Sequence, residues 1–196
     1  LANVEGIAIS VLLQRPDADV RSVAEVLGVR RARGRPDALS SLRVKEIGPP
    51  QEPSPAAGDR SPTTGLRMLQ ISDLHFGPPY VERVGTSLLE TAHELAPDLV
   101  IVSGDLTQRA RPGQFADARR YLERLPEVPR LVVPGNHDLP VYRVLERLTS
   151  PYRNYGEHVA EERNSVLRMD GLVAVALDST SPLRTITNGR IHVDQL

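Results

Sequence analysis

The sequence of 196 residues contains no cysteine and no tryptophan, and it has only five tyrosines and two phenylalanines. Without cysteine the chain can form neither disulfides nor thiolate-bound zinc or iron–sulfur centres, so histidines and carboxylates are the strong metal ligands that remain. A formal net charge of −1 provides no global attraction to nucleic acid or to an anionic membrane. The composition therefore favours a globular domain that recognises its partners locally.

Long apolar runs are also absent. No run approaches the roughly 18 residues that a membrane-spanning helix needs, and the first ten residues lack the basic flank of a signal peptide. We therefore expect a soluble, cytoplasmic protein that makes no membrane contact. Because the chain starts at Leu1 rather than at methionine, we expect a fragment, a processed product or an unusual translation start.

Proline and glycine divide the chain into three parts. Residues 48–65 are rich in proline and poor in large apolar residues, which predicts a linker. Residues 1–47 offer one apolar run, Ile7–Leu13, and one amphipathic helix at about Asp19–Val29. That is too little for an independent core, so we expect a poorly structured or small helical segment there. Residues 66–196 are expected to carry the folded domain.

The third part alternates between predicted strands and predicted helices, a pattern that indicates an α/β fold. Strands are predicted at Leu66–Ser72, Leu99–Ser103, Leu131–Val133, Val166–Met169 and Leu172–Leu177. Two helices are predicted between the first three strands, because apolar residues recur there at spacings of three and four. Their stripes are Val81, Val84, Leu88, Ala92 and Leu95 in the first helix, and Phe115, Ala118, Leu122 and Leu125 in the second.

Three short polar motifs follow the first three predicted strands. They read D-L-H at Asp73–His75, G-D at Gly104–Asp105 and G-N-H-D at Gly135–Asp138. The carboxyl ends of neighbouring strands form the ligand crevice of an open α/β sheet, so these motifs are expected to converge. They supply carboxylates, imidazoles and an amide oxygen, a donor set that suits Mn, Fe, Zn or a similar divalent ion. The sequence therefore predicts a metal site at this edge of the sheet.

Their order and their placement at strand ends make these motifs resemble those of the calcineurin-like metallophosphoesterases, D-x-H, then G-D, then G-N-H-D or G-N-H-E. The resemblance covers about residues 66–196, and the segments Asp73–Gly77 and Gly104–Thr107 resemble a bacterial branch with cyclic-nucleotide phosphodiesterase-like members. It implies an α/β sandwich of two sheets flanked by helices. It also implies a metal-dependent phosphoester hydrolase, best described as a phosphodiesterase, with a phosphoester as its substrate.

The same resemblance assigns a role to each residue of the predicted site. It implies two divalent metal ions, with Asp73 and His75 on the first ion, Asp105 bridging both ions and Asn136 on the second. It implies that His137 is the catalytic residue beside the leaving group. Water activated by the pair of ions would then attack the phosphorus.

The sequence also departs from the family pattern. The family completes its site with three further histidines, in one G-H and one G-H-x-H context, and neither string follows here. After His137 there remain His158 and His192, which we expect to be exposed. We therefore expect a C-terminally truncated domain that is essentially inactive. A remnant that binds metal weakly, or binds a partner without catalysis, is the alternative.

Other polar residues have simpler interpretations. Asp138 is expected to cap a helix that begins near Pro140 rather than to bind metal, and Asp178 is expected to lie in a turn at a strand end. His93 is expected to be a partly exposed residue of the first helix. None of them is placed in the metal site.

A basic cluster at Arg30–Arg35 suggests a DNA-binding helix-turn-helix as a rival class. Pro36 falls where the recognition helix would have to continue, and proline inside a helix costs about 3 kcal/mol. A solvated basic tail is the simpler interpretation, and nucleic acid is expected only as a substrate. The particular substrate, the metal and the oligomeric state stay open at this point.

Overall fold

The computed structural model describes residues 66–169 and 172–183, the single residues 189 and 191, and the backbone of 9–13 and 44–46. In chain order the elements are β1 Ile9–Leu13, β2 Val44–Glu46, β3 Met68–Ile71, α1 Glu82–Leu95, β4 Leu99–Ser103, α2 Pro112–Leu122, β5 Arg130–Val133, a 3-10 turn at Asn136–Asp138, α3 Val144–Thr149, α4 Arg153–His158, β6 Ser165–Met169 and β7 Leu172–Leu177. The strands form two sheets.

The first sheet contains β3, β4 and β5 as parallel neighbours, with β4 in the centre. Parallel strands need a long crossover between them, and α1 and α2 provide the two crossovers. All three strands therefore end at the same edge of the sheet, where the polar motifs follow. The opposite edge carries the turns at 96–98 and 126–129, which precede β4 and β5.

β4 is buried along its whole length, which explains its continuous apolar sequence. Successive side chains of a strand point to opposite faces. Leu99 and Ile101 pack toward the second sheet, whereas Val100 and Val102 pack toward the helices. The strand that leads to Asp105 is thus held from both sides.

The second sheet has the order β1-β7-β6-β2. β7 pairs antiparallel with β1 and β6, while β2 pairs parallel with β6. Leu167 and the inward side chains of β7 form one core with the first sheet. Helices cover the other face of the first sheet. The predicted α/β sandwich of two sheets flanked by helices is confirmed.

α1 lies where the sequence predicts a helix, but it buries a different face. Its buried residues are Gly85, Leu89 and Ala92. The predicted stripe is wrong at three exposed residues, Val81, Val84 and Leu95. The reason lies at Gly85, whose carbonyl accepts a hydrogen bond of 2.9 Å from the Tyr121 hydroxyl. A Cβ at Gly85 would lie 1.9 Å from the Tyr80 hydroxyl oxygen, so the aromatic rings select the glycine face.

α2 confirms its predicted stripe over most of its length. Phe115, Ala118 and Leu122 are buried on the helix side of the first sheet. Leu125 is also buried, but it lies in the turn after the helix has ended. Within the described residues, no helix combines the length and the apolarity that a membrane crossing requires.

Two described strands lie in residues 1–47. β1 falls inside the apolar run Ile7–Leu13 and pairs with β7, and β2 pairs with β6. The sequence predicted neither pairing. Several other predictions fall on residues outside the described part of the chain: the helix Asp19–Val29, the cluster Arg30–Arg35, the linker 48–65 and His192.

Candidate metal centre

The loops that follow β3 and β4 run side by side and continue the pairing of the two strands. Three backbone N–H groups of the first loop donate to carbonyls of the second: Asp73 to Gly104 at 3.2 Å, His75 to Asp105 at 2.9 Å and Phe76 to Leu106 at 2.8 Å. This continued ladder fixes the D-L-H motif in register with the G-D motif. The convergence that the sequence predicts for these two motifs is confirmed.

Asp73, His75 and Asp105 form a compact group of ligand atoms. One carboxylate or imidazole atom from each residue lies within 4.8 Å of the others. An ion bound at about 2.1 Å from each ligand atom requires separations of about 3–4 Å, so small side-chain rotations suffice. Asp73 is exposed, and the other two residues are half-buried. The group therefore opens to solvent on one side.

The same three residues share an unusual backbone conformation. Their φ angles are 58° at Asp73, 49° at His75 and 51° at Asp105. Residues other than glycine rarely adopt positive φ, and each such residue costs about 1–3 kcal/mol. Such strain is common at functional sites, and in this fold it occurs at all three candidate ligands as well as at Ala96 and Ala110.

The donor set fits a divalent cation. Nε2 of His75 lies 3.5 Å from Oδ1 of Asp73. Its buried Nδ1 has no hydrogen-bond partner within the described residues. Burial raises the pKa of Asp105. It outweighs the amide hydrogen bond from His137 and the charge of His137, which both lower this pKa. A cation here would offset the free-energy cost of burying the charge of this carboxylate.

The loop after β5 reaches Asp105 through two glycines. A Cβ at Gly135 would lie 2.2 Å from Oδ1 of Asp105, and a Cβ at Gly104 would lie 2.8 Å from the Gly135 backbone. The close approach lets the His137 amide donate a hydrogen bond of 2.9 Å to Oδ1 of Asp105. The G-N-H-D motif thus joins the other two motifs at this carboxylate.

His137 is oriented by a backbone carbonyl. Its Nδ1 lies 3.0 Å from the Gln108 carbonyl oxygen, which can only accept, so Nδ1 carries the proton and Nε2 is the nitrogen left for proton exchange. The ring meets that of His75 edge to face, with centroids 4.7 Å apart. Asn136 precedes His137 on the same 3-10 turn and is half-buried.

The capping role predicted for Asp138 is wrong. No helix begins at Pro140, and the next helix starts at Val144. A residue before proline avoids helical conformation, and Leu139 is extended with φ −99° and ψ 141°. Asp138 is instead 1% exposed, and burial raises its pKa to about 6.

The Asp138 carboxylate binds the loop that follows Asp105. It accepts hydrogen bonds from the amides of Leu106, Thr107 and Gly135 at 3.1, 2.8 and 2.9 Å, and from the Thr107 hydroxyl at 3.0 Å. Sequence reasoning missed Thr107 and also Gln108, whose contribution is a backbone carbonyl. The signal that could have found Thr107 is its place two residues after Asp105, in the segment Gly104–Thr107.

The remaining predicted residues lie in other surroundings. Asp178 forms the predicted turn, since Oδ1 accepts from the amide and the hydroxyl of Thr180. His93 is exposed on α1, as expected. The exposure predicted for His158 is wrong, because it is half-buried at the end of α4 and its ring stacks over Phe115 with centroids 6.5 Å apart.

Comparison with known proteins bears directly on this geometry. The family described as "Calcineurin-like phosphoesterase" matches residues 66–192, which include all three motif loops. The chain belongs to this family. As a calcineurin-like phosphoesterase, it is a member of a family of hydrolases that generally use divalent metal ions. The recognition made from its motifs is confirmed.

Relatives of this calcineurin-like phosphoesterase include a Synechococcus protein named "Probable cyclic nucleotide phosphodiesterase", 32% identical over 67% of this chain and 50% of its own length. A Danio rerio "Transmembrane protein with metallophosphoesterase domain" is 36% identical over 38% of this chain and 17% of its own. A "Glycerophosphodiester phosphodiesterase" of Enterobacter lignolyticus is 48% identical over 21% and 15%. The chain spans half the length of the Synechococcus protein and less of the other two.

Proposed function

We propose that this chain carries the first part of a binuclear metal centre that hydrolyses a phosphodiester. The observation that carries the proposal is the meeting of Asp73, His75 and Asp105 within 4.8 Å at the carboxyl edge of the first sheet. The hydrogen bond from the His137 amide to Asp105 adds the third motif to this group. Two of the relatives are named phosphodiesterases, which supports this substrate class.

In this proposal Asp73 and His75 hold the first ion, Asp105 reaches both ions and Asn136 offers its amide oxygen to the second. Mn, Fe, Zn or a similar ion suits this mixture of oxygen and imidazole donors. When bound, two such ions supply Lewis-acid chemistry, because they acidify water and polarise the phosphoryl oxygens. A cytoplasmic location stays a prediction from the sequence.

His137 is the proposed general acid. The Gln108 carbonyl holds the proton of Nδ1, so proton exchange with the substrate takes place at Nε2. A protonated Nε2 donates its proton to the leaving alkoxide, which prevents the alkoxide from attacking the phosphorus again. The half-buried position of the ring beside His75 keeps it next to the candidate ligands.

One observation favours a second candidate, a remnant that binds metal weakly or binds a partner without turnover. The sequence contains neither the G-H nor the G-H-x-H string, so Asp105 and the neutral Asn136 would hold the second ion with few other ligands. We therefore expect residues 1–196 alone to show essentially no turnover. A form extended along the downstream reading frame distinguishes the two candidates.

The test compares residues 1–196 with the extended form, each loaded with Mn and assayed with bis(4-nitrophenyl) phosphate. Metal content is measured in parallel for Asp105→Asn and for the control Asp117→Asn, whose carboxylate lies exposed on α2 beside Arg120. We expect metal to be lost in Asp105→Asn alone, and turnover in the extended form alone. Absence of both metal and turnover from the extended form would reject the proposed function. Equal turnover by the short form would reject the ligand-count argument.

A further inference from the structure

The structure assigns to Asp138 the role of a positioning residue, which holds Asp105 and His137 at the spacing that the candidate metal centre needs. This inference rests on the proposed function for its effect on metal binding. Among the described residues, the group of candidate metal ligands consists of Asp73, His75 and Asp105, and Asp138 lies outside this group. Asp138 therefore acts through the loops that it joins.

The partners of Asp138 show which loops these are. Leu106 and Thr107 directly follow Asp105 at the end of β4, and their amides donate to the Asp138 carboxylate at 3.1 and 2.8 Å. Gly135 lies just before Asn136, and its amide donates at 2.9 Å. One buried carboxylate thus links the residues that flank a proposed bridging ligand to the turn that carries the proposed general acid.

Thr107 adds a second link between the same loops. Its hydroxyl lies 3.0 Å from Oδ1 of Asp138 and 3.1 Å from the carbonyl oxygen of His137, and it accepts from the Ala110 amide at 3.0 Å. Thr107 is fully buried. The backbone of His137 is therefore held on both sides, by Thr107 at its carbonyl and by Asp105 at its amide.

The hydrogen-bond pattern favours a carboxylate at position 138. Oδ1 accepts from the amide and the hydroxyl of Thr107, and Oδ2 accepts from the amides of Leu106 and Gly135. An asparagine has one acceptor oxygen and one NH₂ group. With the NH₂ group in place of Oδ2, it would face the amide donors of Leu106 and Gly135. With the NH₂ group in place of Oδ1, it would face the Thr107 amide, while the Thr107 hydroxyl could turn its proton to the His137 carbonyl and accept from the NH₂ group. Asp138→Asn is therefore close to isosteric and yet loses at least one backbone amide contact in either orientation.

The first readout needs no metal. In the metal-free chain we expect Asp138→Asn to shift the ¹⁵N–¹H resonance of His137 and to accelerate exchange of its amide proton about tenfold or more, because that amide donates to Asp105. The control is Leu125→Ala, which removes a buried side chain from the helix-side core. It should lower the melting temperature without changing the His137 amide. An unchanged His137 amide in Asp138→Asn, or the same change in Leu125→Ala, would overturn the inference.

The second readout is the affinity for Mn, measured by electron paramagnetic resonance on the same proteins. Changes in groups that orient metal ligands commonly weaken binding 10–100-fold, so we expect at least about a tenfold loss in Asp138→Asn and none in Leu125→Ala. Unchanged affinity in a folded Asp138→Asn would overturn the inference. Failure of both residues 1–196 and the extended form to bind Mn would reject the proposed function instead, and the His137 amide would still decide the role of Asp138.

A second variant guards against failure to fold. Thr107→Val keeps the shape of the side chain and removes only the hydroxyl, so it loses the links to Asp138 and to the His137 carbonyl. We expect the same direction of change in both readouts, with a smaller amplitude. If Asp138→Asn does not fold and Thr107→Val leaves the His137 amide and the Mn affinity unchanged, the inference fails.

Discussion

The backbone amide of His137 donates a hydrogen bond of 2.9 Å to Oδ1 of Asp105, across 32 residues of sequence. The contact between the candidate general acid and the candidate bridging ligand therefore uses the main chain of His137 and the side chain of Asp105, and the imidazole takes no part in it. A substitution of the imidazole leaves this bond in place. A substitution of the carboxylate changes both the ligand and the support of the His137 turn.

This arrangement predicts different effects for two substitutions, measured in a form of the protein that shows turnover. His137→Ala should keep its metal, because the backbone amide still donates to Asp105, while turnover falls about 10²–10⁴-fold through loss of general acid catalysis. Asp105→Asn should lose metal. Metal analysis and kinetics with a chromogenic phosphodiester measure both effects. Loss of metal from the His137 variant with normal occupancy in the Asp105 variant would reverse the two roles.

The positive φ of Asp73 predicts an unusual order of stability. The free energy of unfolding should be about 1 kcal/mol higher for Asp73→Gly than for Asp73→Ala, because glycine adopts φ 58° without steric strain and alanine does not. The side chain is 62% exposed, so both variants lose few contacts. Urea denaturation of the two metal-free variants measures the difference. An alanine variant that is the more stable of the two would show that the loop relaxes to another conformation.

The contact between Gly135 and Asp105 predicts opposite outcomes for two glycines. Gly135→Ala should lower the free energy of unfolding by about 1–3 kcal/mol, because its Cβ would lie 2.3 Å from the Asp105 backbone nitrogen. Gly113→Ala is the control in α2, where a Cβ meets no atom within 4 Å. Gly113→Ala should raise the free energy of unfolding by about 0.5–1 kcal/mol, since alanine favours the helical conformation more than glycine does. Chemical denaturation of both variants tests the pair, and a neutral Gly135→Ala would contradict the tight packing.

Metal binding should be visible as thermal stabilisation. A ligand that binds only the folded state at 100 times its dissociation constant adds about 2.7 kcal/mol to the free energy of unfolding. Mn should therefore raise the melting temperature of the wild type, and a chelator should reverse the shift. Asp105→Asn should abolish most of it. An equal shift in that variant would place the ion elsewhere on the protein.

The sequence predicted the position of the site because the rule that governs it is topological. Motifs that follow adjacent parallel strands meet at one edge whatever the details of packing, so Asp73, His75 and Asp105 could be grouped without coordinates. The strands were predictable for a related reason. A fully buried strand such as Leu99–Ser103 needs apolar side chains on both faces, and that pattern is local in the sequence.

The failed predictions involve contacts between residues that are distant in the sequence. An aspartate two residues before a proline looks locally like a helix cap, and two of the three amides that bind Asp138 come from residues more than 30 positions away. The buried face of α1 was missed because glycine counts as neutral in an apolar stripe. Tyr80 and Tyr121 decide that face by packing against Gly85.

The two edges of the first sheet also give this protein a practical asymmetry for experiments. All motif loops lie at the carboxyl edge, whereas Glu127 is exposed in the turn at the amino edge. β5 lies between the two, so Glu127 is about 10 Å or more from Pro134. Because the chain has no cysteine of its own, Glu127→Cys creates a single thiol that accepts one fluorophore or spin label. A probe attached at position 127 lies outside the candidate metal centre, and its signal comes from a single labelled position.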